Sequence, residues 1–238
     1  MKDLRNQQLA RVLVQYSVNV QPGDRVAIGC SGSMIAGMPL LAEIMREVLR
    51  AGGHPHFSVG QTVTEEFGFI FFKEATDEQL SYVDPFAEMV AREFQCEITV
   101  LSKTNIRCLS NVDGARRAIR ARAYSDLNES FLDRASKGDV RWVVACQPTS
   151  SYAQEAHMSL EEYEDFVYAA TLADTDDPVS GWEAVRQSHL RLVDWLAGKR
   201  NVQVKGKHVD LSFSIEGRTF VSDHGHFNMP TVRSSPVL

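Results

Sequence analysis

Asp223-His224-Gly225-His226 puts one carboxylate and two imidazoles within four residues. Carboxylate oxygen and imidazole nitrogen are both first-choice ligands for a divalent metal, and a zinc site needs three or four such groups. Gly225 can take backbone conformations closed to other residues, so a turn there could draw the three side chains together. Asp223, His224 and His226 are therefore candidate ligands of a mononuclear metal hydrolase site. The competing reading, a loop that lines the approach to an active site, is the favoured one. His54-Pro55-His56 offers a second imidazole pair on one face of an extended segment, because alternate residues of a strand share a face. No carboxylate or cysteine lies beside that pair, which favours a structural place at a strand edge.

Gly29-Cys30-Ser31-Gly32-Ser33 joins a predicted strand to a predicted helix. Such loops can hold phosphate on helix-terminal amides. This one lacks the glycine spacing of a dinucleotide fold and the lysine of a phosphate loop. Ser33 also stands where a nucleophile elbow would need its last glycine. A tight structural turn remains. Arg116, Arg117, Arg120 and Arg122 cluster on a predicted helix, where a solvated face explains them better than a phosphate grip. The net charge of -6 points the same way, against nucleic acid or an anionic membrane as partner. Cys30, Cys96, Cys108 and Cys146 form no Cys-x-x-Cys pair, so a zinc knuckle is not indicated and reduced, partly buried thiols are expected. Met1 opens directly on a polar amphipathic segment, and the longest apolar run, residues 27 to 45, is broken by Gly29, Gly32, Gly37, Pro39 and Glu43. A cytoplasmic protein without a membrane span is the expectation.

The elements that must position these residues follow from periodicity. Leu4, Leu9, Val12, Leu13 and Tyr16 recur at helical spacing and predict a helix over 3–18. Pro22-Gly23-Asp24 is a turn, 25–29 a strand, 38–49 a helix, and 54–59 a strand. That order favours a parallel α/β unit. Phe67 to Phe72 fits either helix or strand. Residues 85–94 read as helix, 97–101 as strand, 113–137 as a long helical region and 142–145 as a buried strand. Ser159 with Glu162, and Ser180 with Glu183, have the spacing of capping boxes, opening helices through Thr171 and Ala197. Three β segments, 201–204, 208–213 and 218–222, end the regular pattern. Alternating α and β thus gives way to consecutive strands near residue 200. The expected fold class is α/β, with a parallel-sheet domain over 1–200 and flanking helices. The start of a truncated β-containing catalytic domain follows over 201–238.

Several ordered segments are similar to the M29 family of metal-dependent aminopeptidases. They are Gln21-Pro22-Gly23-Asp24, Arg50-Ala51-Gly52-Gly53-His54-Pro55-His56, Ala75-Thr76-Asp77-Glu78-Gln79-Leu80, Trp142-Val143-Val144 with Pro148-Thr149 and Ala153-Gln154-Glu155-Ala156, Met158-Ser159-Leu160-Glu161-Glu162-Tyr163-Glu164-Asp165-Phe166, Gly217-Arg218-Thr219-Phe220 and Asn228-Met229-Pro230. The resemblance covers residues 4 to 230. It implies a metallo-exopeptidase that removes amino-terminal residues from peptides and works as a homodimer. It also implies two divalent ions of the zinc, cobalt or manganese class, which polarise the scissile carbonyl and activate a bridging water. The family's ligands all lie beyond position 230, so no catalytic, cofactor or metal residue carries over to this chain.

After Pro230 the family typically reads Asp-Gly-Glu-Val/Ile-Phe-Thr-x-Pro, its glutamate being the first metal ligand. Here the residues are Thr231-Val232-Arg233-Ser234-Ser235-Pro236-Val237-Leu238. Placing one guanine before the codons allowed by that tail and regrouping them permits Asp-Gly-Glu-Val-Phe-Thr-Gly-Pro. A missing nucleotide after the Pro230 codon, with 231–238 frameshifted, explains the agreement. The expectation is an aminopeptidase by descent whose polypeptide is catalytically incomplete and binds no metal tightly. The alternative is a non-enzymatic α/β binding or dimerisation module. Strands 201–222 are expected to pack poorly on their own.

Overall fold

The computed structural model describes residues 3–58, 64–220 and 222–230. Helix α1 (Leu4–Arg11) is capped by Asp3, whose carboxylate accepts from the Arg5 amide at 2.9 Å. The helix continues as a π-helical segment, Val12–Ser17. The sequence pattern predicted one uninterrupted helix here. The wider turn instead lets Val12, Leu13, Val14, Tyr16 and Ser17 all turn inward, more than a regular amphipathic stripe would bury.

Strand β1 (Arg25–Gly32), helix α2 (Met34–Arg50) and strand β2 (His54–Ser58) make the expected βαβ unit. Val59, predicted as the end of β2, lies outside the described residues. Helices α3 (Glu65–Glu74), α4 (Asp77–Ser81) and α5 (Pro85–Glu93) lead to β3 (Cys96–Ser102). The ambiguous aromatic run is thus helical, started by Thr64, whose hydroxyl accepts from the Phe67 amide. Helices α6 (Gly114–Ala123) and α7 (Ser125–Lys137) divide the long helical region at Tyr124, and α7 stops at Gly138 in the left-handed region at φ +78°. Strand β4 (Arg141–Cys146) precedes α8 (Ser150–Glu155), α9 (Leu160–Ala170) and α10 (Pro178–Leu196).

The four strands are all parallel, in the order β2-β1-β3-β4. Val26, Ile28, Ile98, Val100, Val143 and Ala145 share a core with Leu9, Leu13, Leu40, Ile44 and Val48 of the π-extended α1 and of α2. Ala27 points to the opposite face and packs under Val90 and Phe94 at α5. Helices therefore cover both faces, as a parallel sheet requires. The fold is the α/β class read from the sequence.

Of the two predicted capping boxes, one forms and one does not. Ser159 accepts from the Glu162 amide and Glu162 reaches back to the Ser159 amide. At α10 the cap is Asp177, which accepts from the Ser180 amide, and Pro178 opens the helix. Proline at the first helical position is pre-set for the helix, so the Asp-Pro pair starts it earlier than the serine does. Glu183 then holds Arg186 and Gln187 instead of reaching back.

Strands β5 (Asn201–Gly206) and β6 (Val209–Ser214) form an antiparallel hairpin apart from the main sheet. Val204, Val209, Leu211 and Phe213 stay exposed on it. The third predicted segment is not a strand in its described residues. The Arg218 amide donates to the Ile215 carbonyl and Gly217 sits at φ +71°, so the chain turns there. The following stretch does not dangle. The Val144 amide donates to the Phe227 carbonyl and the Met229 amide to the Val144 carbonyl, both at 2.9 Å. Residue 228 thereby pairs parallel to β4, and Met229 is buried in the main core. The tail 231–238 and its frameshift lie outside the described residues.

Candidate functional site

The Asp223–His226 corner is built by three distant parts of the chain. Tyr16 projects from the π-helical segment, Trp182 from α10, and the two histidines from the turn before residue 228. Gly225 makes the turn at φ +91°. A Cβ there would come to 3.0 Å from the Trp182 ring, so glycine is needed both for conformation and for space. The Tyr16 hydroxyl lies 3.0 Å from His224 Nδ1, 3.0 Å from the His224 carbonyl and 3.2 Å from the Trp182 carbonyl. The His226 ring meets Tyr16 edge-on at 4.8 Å and His224 at 4.4 Å.

Burial sets the electrostatics. It disfavours the imidazolium, so both His224 and His226 titrate below the ordinary histidine value. It also pushes the Tyr16 hydroxyl up to about 12, with the nearby Glu183 carboxylate adding to the rise. At neutral pH the corner therefore holds two neutral imidazoles and a neutral phenol. Asp223 does not join them; its Oδ2 accepts from the Asn228 side-chain Nδ2 at 3.3 Å. Among the described residues no group of three or more His, Cys, Asp or Glu side chains could hold a metal ion. The two-metal centre implied by the resemblance thus finds no fitting donor set in them. Asp223, His224 and His226 do not assemble as a mononuclear site either. The corner works as an anchor, with His224 and Gly225 locking the chain onto Tyr16 and Trp182 just before it joins the sheet.

The other candidates resolve into structure. Strand β1 runs to Gly32 at φ +128°, and Ser33 caps α2 by accepting from the Ala36 amide at 3.3 Å. The carboxyl ends of β1 and β3 form the switch point where α/β sheets commonly bind ligands. Here that point is closed by the chain itself. The Ser33 amide donates to the Ser102 carbonyl, Ser102 Oγ donates to the Ser33 carbonyl, and Cys30 Sγ lies 2.9 Å from Ser102 Oγ. His54 and His56 are both exposed, and the His56 ring meets Phe94 edge-on at 5.2 Å. The arginine cluster is not simply a solvated face. Arg116 donates to the Phe72 and Ala75 carbonyls and Arg120 to the Leu80 and Tyr82 carbonyls, pinning α6 to α3 and α4. All four cysteines are free thiols. No described helix is long and apolar enough to cross a membrane.

Tyr16 and Trp182 were not legible as site residues. They are about 200 and 40 positions from the histidine turn, and nothing in spacing links them to it.

A four-stranded parallel sheet with helices on both faces, receiving a returning segment beside its edge strand, defines an α/β domain. The thermophilic metalloprotease family M29 matches residues 2–233, and the chain belongs to that family. Aminopeptidase 2 of Geobacillus stearothermophilus is 23% identical over 218 residues, which is 87% of this chain and 51% of the relative. The wild-type AmpT structure from Thermus thermophilus superposes with a TM-score of 0.72 at 16% identity, over 95% of this chain and 59% of that one. The chain thus spans about half the length of the curated relative it matches.

Proposed function

We propose that this chain supplies the amino-terminal α/β part of a metal-dependent aminopeptidase, and that hydrolysis of peptide amino termini requires residues it does not contain. Peptides are the substrates on this reading, a second copy of the chain is its oligomeric partner, and the cytoplasm its compartment. The reading is supported by family membership and by the return of Phe227, Asn228 and Met229 to the edge of β4. Backbone pairing and the buried Met229 fix the direction in which the chain leaves Pro230. In the family's pattern the first metal ligand follows at that point. The α/β domain would then act as the rigid base on which a catalytic centre is oriented. A non-enzymatic binding module is the second reading, favoured by the exposed apolar side chains of the β5–β6 hairpin.

The test compares two products of one gene. The 238-residue chain and a version with one base restored after the Pro230 codon are purified and assayed on short peptides, with added divalent metal and with chelator. Metal-dependent release of the amino-terminal residue by the restored product alone is expected. Cleavage by the shorter chain overturns the incompleteness. Inactivity of a folded, metal-loaded restored product favours the binding module.

A further inference from the structure

A cavity of about 520 Å³ opens between the amino-terminal end of α1, α2, the end of β4 and α9. The volume is that of a small-molecule site. Its lining is rich in acceptors, the Asp3, Glu43 and Glu164 carboxylates and the Asn6 and Gln147 carboxamide oxygens, beside the donors of Arg46, Tyr168 and the two carboxamide nitrogens. Gln147 lines it with only 6% of its surface exposed, and its side-chain oxygen has no hydrogen-bond partner among the described residues. A buried acceptor without a donor is unfavourable and calls for one. Pro39 also lines the cavity, inside α2, and has no N–H to return to the Ile35 carbonyl one turn back. The Tyr168 hydroxyl is already committed, because it donates to Asn6 Oδ1 at 3.0 Å.

Charge points the same way. Asp3, Glu43 and Glu164 line the cavity against a single guanidinium, Arg46. Arg46 pairs with Glu43, and Arg5, just behind the wall, serves both Asp3 and Glu164. Among the described residues, Arg5 and Arg46 are the cations paired with these three carboxylates, and Arg5 also holds Asp165. Burial pushes the Glu164 carboxyl up in spite of Arg5. On the outer side Ile35 and Met38 present an apolar shelf, 82% and 52% exposed.

We propose that this cavity binds a primary ammonium group carried on a short apolar chain, with the Gln147 carboxamide oxygen as its deepest acceptor. An ammonium brings three donors and no acceptor, the complement of the Gln147 oxygen and the three carboxylates. The apolar chain lies along Ile35 and Met38. The site stands apart from the peptidase chemistry and does not depend on it.

The full chain is titrated with butylammonium chloride and followed by two-dimensional NMR of amide groups, including the Gln147 side chain. Saturable shifts centred on Gln147, Ile35 and Met38 are expected. Butyltrimethylammonium, which has the charge but no N–H, and butan-1-ol, which has no charge, bind about tenfold more weakly. Gln147→Met keeps the shape, removes the acceptor and weakens butylammonium by about tenfold. Glu164→Gln, at the more accessible side of the cavity, weakens it several-fold while leaving the fold intact, and so covers the case in which Gln147→Met does not fold. Trialanine and its N-acetyl form separate the sources. Binding of trialanine but not the acetylated peptide, alongside butylammonium, assigns the site to a chain amino terminus; binding of butylammonium alone assigns it to a small amine. No saturable shift, an equal response to all three butyl compounds, or affinity unchanged by Glu164→Gln and any folded Gln147→Met overturns the proposal.

Discussion

Gly225→Ala tests whether the segment before residue 231 is part of the folded domain. Gly225 sits at φ +91°, where an L-residue is strained by about 1–2 kcal/mol. The new methyl would also stand 3.0 Å from Trp182 and 3.2 Å from Met229, an overpacking worth about 1–3 kcal/mol more. The sum is a loss of about 2–5 kcal/mol. Gly23 provides the control, because it has φ +89° and a methyl added to it would meet nothing within 4 Å. Gly23→Ala therefore carries the backbone strain alone, about 1–2 kcal/mol. Urea unfolding followed by tryptophan fluorescence reads both, since Trp142 touches Phe227 and Trp182 touches the turn. A Gly225→Ala chain no less stable than Gly23→Ala would refute the close packing of the corner. A wild-type stability in Gly225→Ala would refute docking of residues 224–229 altogether.

The histidine corner predicts a pH dependence. Folded His224 and His226 titrate below the unfolded value of 6.5, so both states are neutral above it and the stabilisation is complete there. As pH falls below 6.5 the unfolded chain takes up protons first, and stability drops by up to about 1.4 kcal/mol per pH unit for each histidine until the folded values are reached. His226→Gln should remove one of these two contributions, and an unchanged slope in urea titrations as the pH is lowered from 6.5 would contradict the burial argument. Asp177→Ala should cost about 1 kcal/mol by removing the α10 cap, and Ser180→Ala less, measured by thermal unfolding; the reverse order would restore serine as the cap. Cys108 is the half-exposed thiol, raised by burial and by the Glu66 and Glu65 carboxylates, while burial pushes the fully buried Cys96 and Cys146 up to about 12. A disulfide reagent should label Cys108 quickly in native protein and the remaining thiols only on unfolding, with rapid labelling of Cys146 counting against the core packing.

The α/β alternation through β4, the Ser159 cap and the turn at Gly23 were all legible, because each depends on neighbours within a few residues. The aromatic run 67–72 was not, since it is apolar at nearly every position and periodicity cannot choose between states. The Asp177 cap was missed because a serine-glutamate spacing competed with an Asp-Pro pair that begins three residues earlier. The strand predicted at 218–222 does not form in its described residues, since Gly217 in the left-handed region turns the chain before a ladder can form.

The candidate metal residues mark the same division. Sequence alone supplied Asp223, His224 and His226 as ligand types and Gly225 as a turn. Only the tertiary structure decided that His224 meets Tyr16, that Asp223 turns to Asn228, and that no third ligand joins them among the described residues. Sequence likewise determined most of the helices and strands, and the family. It could not determine that residues 227–229 return to β4, because a single short bridge leaves no periodic signal and is held by a partner about 80 positions away. Local patterns are set by neighbouring side chains and backbone preferences. A corner built from residues 16, 182 and 224 exists only once burial has brought three separate elements to one place.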